Sequence, residues 1–512
     1  MTYIRNDKLS SIKFNTITNY IGQIYTIAVA VIFTPLYLQY LGAEAYGLVG
    51  FFVVMQTWLN LLDMGLSTTL GRQVAYARGQ VNGFKDFHNL LRSFELIFFV
   101  LTLSIVFGIY FCSNWLTHSW LKSNVLNYET ISHCINIMGL IIGLRFFSTI
   151  YRSGINGFED QIWINKTSIS INSLKYIGSF IILLYVSNDI RHFFEYQLVI
   201  GLIEAALLGW RFYYNMPPSD ILITWLKIDW SIFQEILPFT LSITYTSAVL
   251  MVITQFDKLL LSGFLTLKEF GYFSIITLVA GAVISLSTPV FLAFIPRITM
   301  LVAKRNLEEM IAVYVNMTQI ITWITFSSAI LISIYSKEIL YSLTGDKNAY
   351  VWGQEILFWY ALGSGVSVLG SFQYYLQNAF GSLRLYVISS TISIVVQVPL
   401  IYFITMKYGA LGTGRLWFIY SLIWFLGWTM VVHRKFVPSF HFKWLIKDLL
   451  PILLSIFILS YLMKKIIYID MSESRTIIIF KTAVIGVSFL TITSICVRSI
   501  RNKVFDKLRF IF

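Results

Sequence analysis

Apolar runs of about 20 residues or more follow one another along almost the whole chain, separated by short polar segments. A run of this length crosses the hydrocarbon core of a bilayer as an α-helix. We predict about fourteen such spans, at 14–36, 46–70, 91–112, 130–151, 166–187, 195–216, 236–262, 270–295, 311–335, 354–377, 384–406, 410–432, 445–463 and 476–497. The pattern therefore predicts an all-α integral membrane protein.

The composition narrows the class of protein further. Of the 512 residues, 57% are hydrophobic and 12% are charged, and the mean hydropathy is +0.72. A soluble domain carries about 25% charged residues, so an ordinary cytosolic enzyme and a disordered chain are both excluded. The three cysteines form no closely spaced motif, and the histidines fall in loops or at span edges, so we predict no metal site.

Positive charge is concentrated on one side of the predicted membrane. The loops and tails on the side that holds both termini collect roughly 24 Lys and Arg residues, and the other side collects roughly 9. Because cytoplasmic loops carry the excess of these residues, we expect both termini in the cytoplasm. The asymmetry accounts for most of the net charge of +13 without nucleic acid, and the basic C-terminal tail is expected to lie against anionic lipid headgroups.

Two pairs of related segments indicate an internal repeat. Leu41–Gly47 aligns with Leu265–Gly271, and Tyr151–Gly157 aligns with Tyr375–Gly381, both at an offset of 224 residues. Six predicted spans precede the second copy, and an even number gives both copies the same orientation in the membrane. Such parallel repeats are related by an axis along the membrane normal.

The repeat predicts how the chain is organised. We expect a six-helix lobe at 1–216, a second six-helix lobe at 217–432, and two further spans with a basic cytoplasmic tail at 433–512. The predicted loops are short, and no soluble domain is inserted between spans. Two lobes with a cavity between them could rock to alternate access, so we expect the function within the bilayer.

Several motifs point to a known family. The segments Tyr40–Leu48 and Trp58–Leu66, followed by Arg72, resemble the opening of Wzx-type flippases for O-antigen and capsule repeat units. Gln255–Leu261 and Tyr151–Gly157 are also similar to that family. These flippases form the polysaccharide transporter family of the multidrug/oligosaccharidyl-lipid/polysaccharide exporter superfamily, and the resemblance extends over the whole chain in span number and repeat.

The resemblance implies a V-shaped, two-lobed transporter with alternating access in the bacterial inner membrane. Its implied substrate is an undecaprenyl-pyrophosphate-linked oligosaccharide, moved from the cytoplasmic to the periplasmic leaflet for O-antigen or other surface polysaccharide. The implied partners are this glycan lipid, membrane lipids and a polysaccharide polymerase. No cofactor is implied, and coupling to a proton or sodium gradient is left open.

Ionisable residues inside the spans are the candidates for the binding site, because charge is costly within a bilayer. Arg145 and Arg152 stand two helical turns apart on one face, about 10 Å from each other. Lys175 lies near the middle of its span. Arginine suits a phosphate ligand, so these three cations are candidates to bind the pyrophosphate. The alternative is that Arg145 extends toward the headgroups and that Arg152 ends its helix.

Acidic residues inside the spans are candidates for ion coupling. Glu204 is predicted at the depth of Lys175, and the two could instead form a structural ion pair. Asp63 is followed closely by a glycine and could instead cap a local break in the helix. Asp257 is adjacent to Lys258, about 100° away on the helix, so we expect the two side chains not to face each other.

Two further arginines occupy related places in the two repeats. Arg72 and Arg297 lie at the predicted cytoplasmic ends of the second and eighth spans, and their positions correspond to within one residue. As a pair at the mouth of a cavity they could steer an anionic headgroup. The alternative for both is simple anchoring on the positive side of the membrane.

Other functions are less consistent with the sequence. Multidrug cation exporters of the same superfamily, the main alternative, resemble one another in carrying an acidic residue in the first span, where this chain has Asn15, Asn19 and Gln23. Peptidoglycan-precursor flippases look arginine-rich there. An enzyme acting on the same lipid needs acid–base groups on the outer side, but the outer loops are short and contain no Asp-x-Asp motif, so we predict a protein that is not an enzyme.

Overall fold

The computed structural model describes residues 3–63, 65–79, 83–217, 245, 248–249, 251–467, 469–497 and 501. These ranges are helical almost throughout and contain no β-strand, only an isolated bridge between Lys122 and Thr266. The start of the predicted span 236–262 and nearly all of the predicted basic tail lie outside the described residues. The chain divides into two compact units, 1–271 and 272–512. The predicted lobe boundaries at 216 and 432 stay predictions.

Among the described residues, the first unit contains eight helical elements and the start of a ninth. They are α1 (Tyr3–Leu59), α2 (Leu66–Gly79), α3 (Gly83–Trp115), α4 (Tyr128–Gly157), α5 (Gln161–Ser173), α6 (Ser179–Tyr185), α7 (Ile190–Asn215), α8 (251–264) and the start of α9 (Leu267–Ser285). A 3₁₀ turn, Asn60–Asp63, follows α1, and π-helical turns at Leu116–Trp120 and Leu174–Gly178 follow α3 and α5. The second π-helical turn joins α5 and α6 into one long element.

The second unit continues α9 and, in its described part, adds eight more helical elements. They are α10 (Thr288–Ala303), α11 (Leu307–Ile334), α12 (Ser336–Thr344), α13 (Lys347–Ala379), α14 (Arg384–Phe436), α15 (His441–Lys443), α16 (Leu450–Ile466) and α17 (Arg475–Ser494). A π-helical turn, Trp444–Leu449, joins α15 to α16.

Eleven helices in the described ranges are long and apolar enough to cross a membrane, judged by length and composition. The predicted all-α membrane fold is therefore confirmed, while the number of fourteen spans stays a prediction. The elements α1 and α14 each consist of two helices that meet at a kink, because Gly42 in α1 has φ 81° and Gly409 in α14 has φ 58°. Side chains other than glycine rarely adopt such angles. Both kinks lie where the sequence predicts a break between two spans.

Two predicted spans are interrupted at positions that the hydropathy pattern does not reveal. The span predicted at 46–70 ends at Leu59, passes through the 3₁₀ turn and Gly65 at φ 72°, and restarts as α2. The span predicted at 270–295 breaks between Ser285 and Thr288. Hydropathy reports only how apolar a segment is, so breaks within an apolar segment escape it.

The internal repeat has a direct structural counterpart. A Cβ atom on Gly47 would lie 2.0 Å from the carbonyl oxygen of Leu267, and one on Gly271 would lie 2.2 Å from that of Ala43. At the offset of 224, residues 43 and 47 correspond to 267 and 271. Swapping each residue for its equivalent in the other repeat segment therefore turns one contact into the other. This is expected of two segments related by a two-fold axis. The glycines let the two helix backbones touch.

Glu44 attaches the segment between α3 and α4 to the kinked part of α1. Its Oε1 accepts hydrogen bonds from the backbone N–H groups of Asn124, at 2.7 Å, and Val125, at 3.1 Å, and the hydroxyl of Ser123 also donates to it. The carboxylate is buried. A buried charge is tolerated when several donors satisfy it, so Glu44 is a structural residue here.

His433 organises a buried polar cluster in the second unit. Its Nδ1 lies 3.0 Å from Nδ1 of His441, and its Nε2 lies 2.9 Å from the hydroxyl oxygen of Tyr314. The fully buried Trp444 packs edge-on against the His433 ring. Buried polar groups need hydrogen-bond partners, and these side chains provide them for one another. The cluster therefore connects α11, the end of α14 and α15.

Candidate functional site

A polar cavity of about 250 Å³ lies inside the first unit. Its wall comes from the end of α1, the middle of α4, the α5–α6 element and the middle of α7. The lining residues are Gln56, Asn60, Arg145, Ser148, Thr149, Arg152, Asn172, Lys175, Gly201, Glu204 and Leu208. Three cations and one carboxylate line it, so its net formal charge is +2.

Helical periodicity explains how α4 presents its residues. Arg145 and Arg152 lie seven residues apart, and Ser148 and Thr149 lie between them at spacings of three and four. Side chains at these spacings occupy one face of a helix. The predicted common face of Arg145 and Arg152 is therefore present, and it is directed into the cavity.

Arg145 is held in place without a carboxylate. Its Nη1 donates a hydrogen bond of 2.7 Å to Oε1 of Gln56, and its guanidinium lies 5.4 Å from the centre of the Phe52 ring. Its buried Nε has no hydrogen-bond partner, and no acidic side chain among the described residues forms an ion pair with it. Arg145 therefore has donor capacity left for a ligand in the cavity.

Lys175 reaches the cavity from the π-helical turn Leu174–Gly178. Such turns insert one extra residue into a helix and are frequent at functional sites. The side chain is half-buried, and its ammonium group makes no hydrogen bond or ion pair with any residue that the structure describes. Lys175 is thus a second cation in the cavity without an acidic partner.

Glu204 is paired with Arg152. Nη2 of Arg152 lies 2.6 Å from Oε1 of Glu204, and Nη1 of Arg152 donates to the hydroxyl of Ser168 at 3.1 Å. The alternative pairing of Glu204 with Lys175 is therefore wrong. The reason is the close approach of α4 and α7, where the ring of Phe212 packs over Gly154 and brings the two helices within side-chain reach.

The other predicted acidic residues do not line the cavity. Asp63 caps α2, because its carboxylate accepts hydrogen bonds from the backbone N–H of Ser67 at 3.0 Å and from the Ser67 hydroxyl at 2.6 Å. The expectation that Asp257 and Lys258 do not face each other is wrong: Lys258 Nζ lies 3.6 Å from Asp257 Oδ1. The flexible lysine side chain bends back along the helix, a freedom that backbone angles alone do not capture.

The predicted arginines at the helix ends also lie away from this cavity. Arg72 is exposed on α2. Arg297 on α10 forms an exposed ion pair with Glu309 on α11. Their proposed part in steering a headgroup stays a prediction.

Neutral polar residues that are not among the predicted site residues complete the cavity. Gln56 lies near the end of α1, and Asn60, four residues later, begins the 3₁₀ turn. Asn172 lies on α5, where its amide donates to the hydroxyl of Thr26 at 3.1 Å. A Gln and an Asn at helical spacing inside an apolar run were a signal that could have identified them. Among the described residues, no group of three or more His, Cys, Asp or Glu side chains could hold a metal ion.

Comparison with known proteins places the chain in a family. Residues 12–302, more than half of the chain, match the family described as polysaccharide biosynthesis protein. The chain belongs to this family. The family resemblance seen in the sequence motifs is thereby confirmed. A Shigella flexneri protein described as an O-antigen transporter is 19% identical over 413 residues, which are 80% of this chain and 94% of that protein.

Solved structures share the fold. The lipid II flippase MurJ in its inward closed conformation matches with a TM-score of 0.70 and 16% identity, over 94% of this chain and 98% of that one. An inward-facing multidrug resistance MATE transporter of the MOP superfamily matches with a TM-score of 0.63 and 13% identity, over 82% of this chain and 96% of that one. At these identities the similarity establishes the shared fold alone and leaves the activity and the substrate open.

Proposed function

We propose that this protein is a flippase for lipid-linked oligosaccharides in the bacterial inner membrane, with both termini in the cytoplasm. Its substrate is an undecaprenyl-pyrophosphate-linked repeat unit, moved from the cytoplasmic to the periplasmic leaflet, where a polysaccharide polymerase uses it. Membership in the polysaccharide biosynthesis family and the transporter fold support this proposal. So does the similarity to a protein described as an O-antigen transporter.

The observation that carries the proposal is the cationic cavity in the first unit. A pyrophosphate diester brings two negative charges, which need cationic donors when they leave water. Arg145 and Lys175 line the cavity without acidic partners among the described residues. Guanidinium and ammonium groups bind phosphate oxygens through charge-assisted hydrogen bonds. The cavity is therefore suited to the pyrophosphate, and its positive charge disfavours the cationic drugs of a multidrug exporter.

The function involves movement of the substrate and no covalent chemistry. Coupling to a proton or sodium gradient is part of the proposal, with Glu204, Asp63 and Asp257 as candidates. Of these three, Glu204 lines the cavity, while Asp63 caps a helix and Asp257 pairs with its neighbour. Glu204 is therefore the first residue to substitute when the coupling ion is sought.

A complementation experiment tests the proposed function. Cells deleted for the gene receive the wild type, Arg145→Gln, Lys175→Gln or, as the matched control, Arg415→Gln, which removes an exposed arginine paired with Glu355. We would measure surface polysaccharide and the leaflet in which the lipid-linked repeat unit accumulates. Loss of one charge-assisted contact costs about 1.5–3 kcal/mol, so both cavity variants should lower transport roughly tenfold or more.

The outcomes separate the alternatives. Deletion should leave the repeat unit in the cytoplasmic leaflet and abolish surface polysaccharide, and the wild type and Arg415→Gln should restore it. Intact surface polysaccharide in the deleted cells would refute the flippase function. Full complementation by both Arg145→Gln and Lys175→Gln, at normal protein level, would show that the cations of the cavity are not needed for transport.

A further inference from the structure

We propose that Glu204 sets the charge preference of the cavity by neutralising Arg152, which leaves two cations, Arg145 and Lys175, for a dianionic headgroup. The inference rests on the proposed function, because it concerns the same cavity. The carboxylate of Glu204 would thereby determine which lipid phosphates the cavity accepts. On this basis the substrate is a pyrophosphate diester, with two charges, and a monophosphate diester, with one, is disfavoured.

The contacts of Arg152 show that its charge is already compensated. One terminal nitrogen lies 2.6 Å from Oε1 of Glu204, and the other donates to Ser168 at 3.1 Å. The side chain of Arg152 is 37% exposed and that of Glu204 is 18% exposed, so both are accessible from the cavity. A ligand that bound Arg152 would have to displace a carboxylate that already has a short, charge-assisted hydrogen bond.

Unlike Arg152, the other two cations of the cavity have no carboxylate partner in the described part of the chain. Arg145 contacts the neutral Gln56 and the ring of Phe52, and Lys175 has no hydrogen-bonding partner among the described side chains. Both groups line the same cavity. Two uncompensated charges match the two charges of a pyrophosphate diester, whereas a monophosphate diester would leave one cation unneutralised in a poorly hydrated space.

Glu204 also limits how tightly the anion is held. Without the carboxylate the cavity would carry three uncompensated cations, and a dianion would bind more strongly than is useful for release on the other side of the membrane. Binding that is equally strong in every state of a transport cycle slows the step that releases the ligand. Glu204 thus balances affinity for the headgroup against its release.

The test measures binding to the purified full-length chain in phosphatidylcholine nanodiscs. The probes are farnesyl-pyrophosphoryl-N-acetylglucosamine and farnesyl-phosphoryl-N-acetylglucosamine, which share the sugar and the chain and differ by one phosphate. The variants are Glu204→Gln, Arg152→Gln and the double variant with both substitutions. They give the cavity net formal charges of +3, +1 and +2, against +2 in the wild type. Glu195→Gln is the matched control, because Glu195 lies on the same helix, outside the cavity, and pairs with His133.

We expect affinity to follow the net charge of the cavity. The wild type should prefer the pyrophosphate probe about tenfold, and Glu204→Gln should bind it about tenfold more tightly, as one added charge-assisted contact implies. Arg152→Gln should bind it about tenfold more weakly. The double variant and Glu195→Gln should match the wild type. The transport rate of Glu204→Gln in cells should fall despite the tighter binding.

Four results would overturn the inference. If Glu204→Gln weakened binding, Glu204 would position Arg152 rather than neutralise it. If the double variant bound as weakly as Arg152→Gln, Arg152 itself would contact the anion. Equal affinity of the wild type for the two probes would remove the charge preference but leave the flippase function intact. Absence of binding of either probe to the wild type would refute both the inference and the proposed pyrophosphate site. Thermal unfolding of each variant shows whether a loss reflects misfolding.

Discussion

The crossing of α1 and α9 gives a sharp prediction about stability. Replacing Gly47 by Ala places a Cβ atom 2.0 Å from the carbonyl oxygen of Leu267 and 2.9 Å from its carbonyl carbon. Ordinary contacts of a Cβ atom begin near 3.4 Å. The two backbones would therefore have to separate by more than about 1 Å, because no side-chain rotation relieves a contact with backbone atoms.

The size of the effect follows from packing energies. Overpacking of this kind costs about 1–3 kcal/mol and sometimes more. Gly281, on the same helix α9, has no atom within 4 Å of its potential Cβ and is the matched control. There Ala should be neutral or stabilising by up to about 1 kcal/mol, because it is the better helix former. We expect Gly47→Ala to be about 1–4 kcal/mol less stable than Gly281→Ala.

The equivalent variant in the second repeat tests the symmetry. Gly271→Ala should destabilise by a similar amount, because its Cβ would lie 2.2 Å from the carbonyl oxygen of Ala43. The double variant should cost less than the sum, since both substitutions open the same crossing. Thermal unfolding in detergent, followed by tryptophan fluorescence, measures all four variants. Equal stability of Gly47→Ala and Gly281→Ala would refute the close backbone contact.

Three further predictions concern buried polar contacts. Glu44→Gln should lower stability by about 2 kcal/mol, since a charged acceptor of several N–H groups is lost, and should speed hydrogen exchange at Asn124. Asp63→Ala should lower the free energy of unfolding by about 1 kcal/mol because the cap of α2 is lost, and the unfolding temperature should fall. Asp63→Asn should retain most of this stability, since its amide oxygen can still accept a hydrogen bond. His433→Phe should cost about 1–3 kcal/mol because the buried hydroxyl of Tyr314 loses its partner; unchanged thermal unfolding would contradict this.

Some of the candidate site could be predicted from the sequence because charge in an apolar span is conspicuous. Arg145, Arg152, Lys175 and Glu204 were identified in this way, and the structure brings all four into one cavity. The spacing of seven residues also predicts that Arg145 and Arg152 lie on the same face of their helix, because helical periodicity is a local property. The neutral Gln56 escaped notice, since a single amide in an apolar run has many possible structural roles.

The choice of ion-pair partner could not be predicted in the same way. Glu204 was expected to pair either with Lys175 or with a coupling ion, and it pairs with Arg152. Depth along the span is local, but the rotation of each helix about its axis and its distance from its neighbours are not. A π-helical turn at Lys175 changes the direction of that side chain, and the close packing of Phe212 on Gly154 decides which helices meet.

By itself, the sequence determined that the chain is an all-helical membrane protein with cations within its spans, and it predicts related segments at an offset of 224 residues. These features depend on hydrophobicity, charge and periodicity, which each segment carries without its neighbours. Only the tertiary structure decided how Gly47 and Gly271 bring α1 and α9 into backbone contact, and which cations remain uncompensated. Those features depend on which surfaces meet, and helix packing rather than local preference determines that.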